Sequence, residues 1–178
     1  VAAVSAILRA RRDEAELLFI RRARRRGDPW SGHMAWPGGK RELADDSLVA
    51  CAIRETREEI GLDLAAAGEL VGALRPYVRE SPGIGGLRAV YPFVFALDRD
   101  AAHVREPAPL DGNEVEEAVW IPLSYFSDWL SRRPWKWMAG WLPSTPPAYR
   151  YHGRVIWGLT LWMLSDLLER LKATGRRG

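Results

Sequence analysis

The chain has 178 residues, of which 47% are hydrophobic and 28% charged, and it carries a formal net charge of +3. That length and balance describe one soluble globular domain, residues 1–178, with enough apolar residues for a real core. The one cysteine, Cys51, excludes an intrachain disulfide; set in an apolar helical pattern, it reads as a core thiol in a reducing compartment, the cytoplasm.

In chain order, Ala2 to Leu8 reads as a strand, Arg11 to Glu14 as a charged turn, and Glu16 to Ile20 as a second strand in a hairpin with the first. The first residues show no signal-peptide pattern. The basic excess gathers at Arg9, Arg11, Arg12 and in the run Arg21-Arg22-Ala23-Arg24-Arg25-Arg26. Such a run can meet nucleic acid or an anionic small molecule. With no aromatic-rich RNA-binding pattern beside it, a solvated loop is the favoured reading. Gly27 to Gly39 is a loop rich in Gly and Pro that holds Trp30, His33 and Trp36. Asp45, Asp46 or Ser47 then caps a helix that runs to about Ile60, with Gly61 as its C′ residue. Val49, Ala52, Ile53, Thr56 and Ile60 share one side of this helix, and Glu55, Glu58 and Glu59 a neighbouring arc. The helix can thus bury one side on a sheet and point its carboxylates into a cleft at the sheet edge.

Beyond the helix, Glu69 to Leu74, Leu87 to Leu97 and Val115 to Ile121 are strand-like. Glu80 to Gly86 reads as a turn or mobile loop and Asp98 to Asn113 as a polar loop. Pro122 to Asp128 begins a short helix. Pro134 to Gly153 reads as irregular, part of a Trp-rich insertion over about 129–153. A helix from about Arg154 to Ala173 closes the chain, with Ile156, Leu159, Trp162, Met163, Leu167 and Leu171 facing a core. The longest apolar run, Val155 to Leu164, is too short to span a bilayer and contains Thr160, so no membrane partner is expected. Strands and helices mix without regular βαβ alternation, which favours an α/β sandwich of mixed sheets.

Three glutamates crowd the last turn of the first helix. A helix C-terminus carries partial negative charge, and Glu55 and Glu59 are a like-charge i,i+4 pair, so a compensating cation is expected. Two carboxylates about 4 Å apart repel by about 4 kcal/mol at an effective dielectric of about 20. Arg54 and Arg57 offset part of this, but Arg54 lies N-terminal to Glu58, the weaker orientation, worth about 0.3 kcal/mol. Mg²⁺ or Mn²⁺ turns the repulsion into attraction. The i, i+3, i+4 spacing of Glu55, Glu58 and Glu59 lets one helical turn surround one or two such ions, shared with substrate phosphates. Gly38 and Gly39 allow the backbone to approach ligand and metal closely, and Lys40 is placed to meet a phosphate oxygen. A metal-activated water attacking phosphorus, its proton taken by a nearby carboxylate, is the chemistry this pattern supports, on an anionic, phosphate-containing substrate.

The segment Gly39 to Leu62 resembles the Nudix box, whose core reads Arg-Glu-hydrophobic-x-Glu-Glu-x-Gly-hydrophobic. Arg54, Glu55, Glu58, Glu59, Gly61 and Leu62 match it, Thr56 takes the first hydrophobic place, and Pro37-Gly38-Gly39 leads into it. The resemblance implies the Nudix α/β/α sandwich and hydrolysis of a nucleoside diphosphate linked to another group. It also implies a metal set of Glu55, Glu58 and Glu59 with the Gly39 carbonyl, and Arg54 among the catalytic residues. Asp45 or Asp46 stands where the early glutamate of the box is usual, and the spacing from Gly39 to Arg54 is one residue longer than the common form. In this the chain resembles the coenzyme A pyrophosphatase branch. So do Leu18-Phe19-Ile20-Arg21-Arg22-Ala23, Gly32-His33-Met34-Ala35-Trp36-Pro37-Gly38-Gly39 and Val155-Ile156-Trp157-Gly158-Leu159-Thr160. Asp28 aligns where that branch has arginine, and Trp36 where it has phenylalanine. The branch implies cleavage of coenzyme A or an acyl-coenzyme A to 3′,5′-ADP and a 4′-phosphopantetheine product. Two alternatives stand beside it: a Nudix hydrolase of another nucleoside diphosphate derivative, such as a dinucleotide, an ADP-sugar or an RNA cap, and a non-catalytic nucleotide-binding module. The intact glutamate trio argues against the last.

Glu114 has two equally weighted readings, a further carboxylate at the metal site or a solvated acidic turn. Glu58 is the first choice of general base, with Glu55 and Glu114 as rivals. Arg22 is a candidate for a substrate phosphate. His33 reads as structural, and His103 and His152 as surface residues. Cys51 sits mid-helix without a partner base and is not a nucleophile. The stretch Trp129 to Trp141 reads as local packing or a homodimer surface rather than a base-stacking lid.

Overall fold

The computed structural model describes residues 1–27, 31–81, 86–97, 106–110, 114–126, 132–134 and 147–175. Asp28, Trp30, His103, Trp129, Trp135, Trp137 and Trp141 lie outside them, and with them most of the aromatic stretch assigned above to packing or dimerisation.

Strands β1 (Ala2–Arg11) and β2 (Glu14–Arg22) form the expected hairpin, Leu8 opposite Leu17 and Arg11 opposite Glu14. Both run longer than their apolar cores suggest. The stretch read as a Gly/Pro loop contains two short strands, β3 (Met34–Ala35) on β2 and β4 (Gly38–Lys40) on β1. Helix α1 (Leu48–Ile60) follows, then a short helix α2 (Leu64–Ala67), capped by Asp63 and not foreseen. Strands β5 (Gly68–Ala73), β6 (Tyr77–Ser81), β7 (Gly86–Leu97) and β8 (Val115–Pro122) complete the main sheet. Its order is β3-β2-β1-β7-β5, with β4 also on β1, β6 on β7 and β8 on β2. The β1–β7 pair is parallel and the others antiparallel, which makes the sheet mixed.

Period-two alternation sorts the strand residues onto two faces. Ala3 and Ile7 of β1, Leu18 and Ile20 of β2 and Phe95 of β7 lie on the side of Cys51, Ala52 and Ile60 from α1. Ala6, Leu17, Phe19 and Val94 face the other way, against Trp36 and the buried Leu161, Met163, Leu164 and Leu167 of α3 (Gly158–Gly175). A register slip of one residue would exchange the two faces, so both cores hold the register. Helices on both sides of a mixed sheet make the α/β/α sandwich expected from the sequence.

The C-terminal region departs from expectation. Arg154 to Ile156 is a strand, β11, and the helix begins only at Gly158. His152 and Gly153 both adopt left-handed φ, 45° and 80°, and turn the chain back so that β11 pairs with β10 (Pro147–Tyr151). The Arg154 guanidinium donates to both Glu117 oxygens at 2.7 Å, fixing β11 against β8. The segment read as irregular therefore contains β10, and β9 (Arg132–Pro134) pairs with it as the third strand of a small sheet. Trp162, read as facing the core, is 38% exposed and stands edge-on to Tyr77. The short helix expected after Pro122 is a 3-10 turn over Leu123–Phe126.

Candidate functional site

Ser47 caps α1, its Oγ accepting the Ala50 N–H at 3.0 Å. At the other end Gly61 takes φ 71° and donates its N–H to the Arg57 carbonyl at 3.0 Å. That left-handed residue ends the helix one residue after Ile60 and leaves the glutamates on its last turns. The inner face is polar at one place: Thr56 Oγ1, fully buried, lies 3.0 Å from Ser5 Oγ and 2.7 Å from the Ala52 carbonyl. A hydroxyl can stand at a hydrophobic place of the box because β1 supplies its partner.

Asp45, relieved of capping, has another use. Its carboxylate accepts the Glu42 N–H at 2.8 Å and both Nε and Nη2 of Arg54, at 2.9 and 3.0 Å. Arg54 also donates to Glu58 at 2.9 Å and to the Lys40 carbonyl at 3.1 Å, and its Nη2 lies 3.1 Å from Glu55. The Arg54 guanidinium holds the Asp45 carboxyl well below the usual carboxylate range, and Asp45 in turn raises Arg54. Sequence spacing weighed Arg54 only against Glu58 and missed Asp45 as its main partner. The signal available was the aspartate in the early acidic place of the box.

The three glutamates are held differently. Glu59 Oε2 accepts the Gly38 N–H at 2.9 Å. Burial pushes the Glu59 carboxyl up to about 7; the Gly38 N–H opposes this, the charges of Glu55 and Glu114 add to it, and Arg22 opposes it. Burial also raises Glu55, against the pull of Arg54. Glu58 is more open, its side chain 54% exposed. Gly38 and Gly39 both matter for lack of a side chain. A Cβ on Gly38, at φ 145°, would lie 2.2 Å from the Ala3 carbonyl oxygen, and one on Gly39 would lie 2.5 Å from the Glu55 carboxylate. Cys51 Sγ contacts the Gly39 carbonyl at 3.7 Å, and burial pushes its thiol up, as expected of an inert core cysteine.

Among the described residues the carboxylates do not close into a three-ligand cage in this conformation, since Glu58 is turned to Arg54 and Glu59 to Gly38. The donor chemistry nonetheless fits a hard divalent cation. Glu59 is held above its ordinary range by burial and by acidic neighbours, a state that a cation would relieve. The Glu55 carboxylate occupies the space that a side chain on Gly39 would fill, which brings it against backbone.

Glu114 stands just before β8, its carbonyl accepting the Ala23 N–H at 2.9 Å, and its charge raises both Glu55 and Glu59. The basic run meets the acidic start of β8: Arg21 lies 3.5 and 3.6 Å from Glu116 and Glu117, and Arg25 3.5 Å from Glu114. Part of its charge is thus neutralised within the chain. Arg22, at the end of β2, borders a cleft of about 310 Å³ that His33 and Trp157 also line. His33 stands edge-on to Trp157 at 5.0 Å, in keeping with a packing role. Lys40 and His152 are exposed.

The NUDIX domain model matches residues 1–143. Over 120 residues the chain is 35% identical to the peroxisomal coenzyme A diphosphatase NUDT7 of Mus musculus, covering 67% of this chain and 45% of that protein. Over 161 residues it is 30% identical to the mitochondrial coenzyme A diphosphatase NUDT8 of Homo sapiens, covering 89% of this chain and 64% of that protein. The matched stretch thus spans less than two thirds of either relative. The fold is similar to the NUDIX domain of Shewanella oneidensis NrtR, solved in complex with ADP ribose, with a TM-score of 0.61 at 14% identity, over 96% of this chain and 86% of that one. Among the described residues no helix is long and apolar enough to cross a membrane.

Proposed function

This chain belongs to the NUDIX family, and from that premise we propose that it is a Mg²⁺- or Mn²⁺-dependent pyrophosphohydrolase acting on coenzyme A or an acyl-coenzyme A. The products are 3′,5′-ADP and the corresponding 4′-phosphopantetheine. The observation that carries the reading is the crowding of Glu55, Glu58 and Glu59 on the last turns of α1, beside side-chain-free Gly39, with Glu59 pushed up to about 7 by burial. The likeness to NUDT7 and NUDT8 supports the coenzyme A assignment.

Glu55, Glu58, Glu59 and the Gly39 carbonyl would hold the cation. A divalent cation bound there supplies charge neutralisation for the diphosphate and acidifies a water. Glu58 takes the proton of the attacking water, with Glu55 and Glu114 as rivals for that role. As the new O–P bond forms, the bond from that phosphorus to the bridging oxygen breaks, and the second phosphate leaves on that oxygen. Arg54 holds Glu55 and Glu58 in place while Asp45 anchors Arg54. Lys40 and Arg22 meet phosphate oxygens, and Gly38 lets the backbone come close. The proposed compartment is the cytoplasm, on the single buried thiol, although the named relatives are peroxisomal and mitochondrial. A homodimer is proposed on the aromatic stretch, and nucleic acid is not the favoured partner.

The test is a substrate panel with products identified by mass spectrometry: coenzyme A, acyl-coenzyme A, NADH, ADP-ribose, dinucleoside polyphosphates and capped RNA. Release of 3′,5′-ADP from coenzyme A supports the proposal. Turnover of another member with coenzyme A untouched overturns the substrate, and binding without turnover of any member overturns the catalytic reading.

A further inference from the structure

The segment Glu106-Pro107-Ala108-Pro109-Leu110 lies between β7 and β8 in sequence and crosses the C-terminal end of α1. Proline fixes φ and lacks an N–H, and it holds the residue before it extended. Residues 107–110 therefore make a stiff stretch with two N–H groups, those of Ala108 and Leu110. Both go to the end of the helix. Ala108 donates to the Ile60 carbonyl at 3.2 Å and Leu110 to the Glu59 carbonyl at 3.1 Å. A helix that ends at Ile60 has no partner of its own for these two carbonyls. Leu110 also lies over Gly61, its Cδ2 3.3 Å from where a Cβ on that glycine would stand.

An anchor holds the other end of this stretch. Glu106 accepts two hydrogen bonds from Arg9 Nη1, at 2.8 and 2.9 Å, and one from the Trp120 indole N–H at 3.2 Å. Arg9 lies over the Trp120 ring at 4.0 Å, and its Nε donates to Glu16 at 2.7 Å. Arg9 of β1 stands opposite Glu16 of β2, and Trp120 of β8 opposite Leu18 of β2, so the anchor belongs to the sheet and not to α1. The segment thus ties the end of the helix to three adjacent strands. Glu59 is fixed twice as a result, its main chain by Leu110 and its side chain by the Gly38 N–H at 2.9 Å.

We propose that residues 106–110 are a strap that seats Glu59 for the divalent cation, and that Glu106, acting through that strap, is a positioning residue of the metal site. The strap works on Glu59 through its main chain, so it sets where the carboxylate stands and itself touches neither substrate nor cation. Partners one step behind a metal ligand orient it and set its affinity. The two N–H groups also offset the partial negative charge of the last carbonyls, at the turn where the glutamates crowd. This deepens the proposed function and rests on it for the cation. It gives Glu106, Arg9 and Trp120, which lie outside the Nudix box, a part in the site.

The test is Mn²⁺ affinity by titration calorimetry without substrate, with hydrogen exchange at residues 106–110 read by mass spectrometry, on the wild type, Glu106→Ala, Glu106→Gln and Leu110→Pro. Glu106→Ala is expected to bind Mn²⁺ about fivefold or more weakly and to exchange faster at Ala108 and Leu110. Its melting temperature shifts by about 3 °C or less, because the Glu106 side chain is exposed and Arg9 keeps Glu16. Glu106→Gln, whose amide oxygen still accepts from Arg9 and Trp120, stays within about twofold of the wild type. Leu110→Pro removes the bond to the Glu59 carbonyl and weakens Mn²⁺ binding at least as much as Glu106→Ala, and combining the two brings no further loss. The Glu106→Ala and Glu106→Gln pair decides by itself if Leu110→Pro does not fold. Mn²⁺ binding by Glu106→Ala as tight as by the wild type, failure of Glu106→Gln to restore it, or additive losses in the double variant overturns the strap. The hydrolase reading survives each of those results as long as the wild type binds Mn²⁺ and cleaves a diphosphate. A wild type that does neither overturns the proposed function, and with it the strap's part in seating a cation.

Discussion

The Arg54 guanidinium grips both carboxylate oxygens of Asp45, at 2.9 and 3.0 Å, and from that anchor reaches Glu55 and Glu58. Removing Asp45 leaves Arg54 free to swing toward the glutamates and cover them. Asp45→Ala is expected to lower the melting temperature by about 5 °C or more and to lower turnover as well. Differential scanning calorimetry and a diphosphate hydrolysis assay check the two effects. An unchanged melting temperature would show that the pair is not structural.

Gly38 and Gly39 should respond in opposite ways to the same added methyl group. A Cβ on Gly38 meets the backbone of β1 at 2.2 Å, and neither partner can yield without breaking the β1–β4 pairing. Gly38→Ala is expected to cost about 3 kcal/mol or more in stability, read by urea unfolding. A Cβ on Gly39 meets only the far end of the Glu55 side chain, which can move aside. Gly39→Ala should stay folded within about 1 kcal/mol of wild type and lose activity through displacement of Glu55.

The metal-free protein should lose stability as pH rises, through Glu59. Its carboxyl is raised from the ordinary 4.5 to about 7 by burial. Below the lower value both folded and unfolded chains hold the proton, and the stability is fully present. Between the two values the unfolded chain releases its proton first, so stability falls by about 3 kcal/mol in all, and it levels off above the upper one. Thermal melts in EDTA from pH 4.5 to 8 should show this decline, and Glu59→Gln should flatten it. Added Mg²⁺ should raise the melting temperature more at pH 8 than at pH 5.5, because it favours the ionised form.

Thr56→Val tests whether the polar pair under α1 is structural only. Ser5 still has the Ala52 carbonyl at 3.2 Å when the threonine hydroxyl is gone, so no donor is stranded. The expected cost is about 1 kcal/mol or less with activity retained. A loss of activity at full stability would assign the pair a part in positioning the glutamates.

Much of this was legible in the sequence, and the limits have physical causes. Helix α1 was readable because its face, its N-cap region and its Gly61 stop are all local in sequence. So was the β1–β2 hairpin, where alternation and a two-residue turn suffice. The tail misled because Arg154 to Ile156 is apolar enough for a helix, and only the left-handed turn at His152 and Gly153 and the distant Glu117 make it a strand. Strands β3 and β4 were hidden because two- and three-residue strands rest on partners in β1 and β2 and not on their own pattern. At the site, the glutamates were visible from spacing alone. The Asp45 anchor and the polar Thr56–Ser5 contact were not, since each joins residues that only the folded chain brings together.

The central claim is tested most directly by mass spectrometry of coenzyme A incubated with the wild-type chain in Mg²⁺, in excess EDTA, and with the Glu59→Gln variant in Mg²⁺. The expected result is 3′,5′-ADP and 4′-phosphopantetheine in the first reaction only, with rates in the other two down by about 100-fold or more. Full activity in EDTA, or in Glu59→Gln, would contradict the assignment of the α1 glutamates as a metal site for diphosphate hydrolysis.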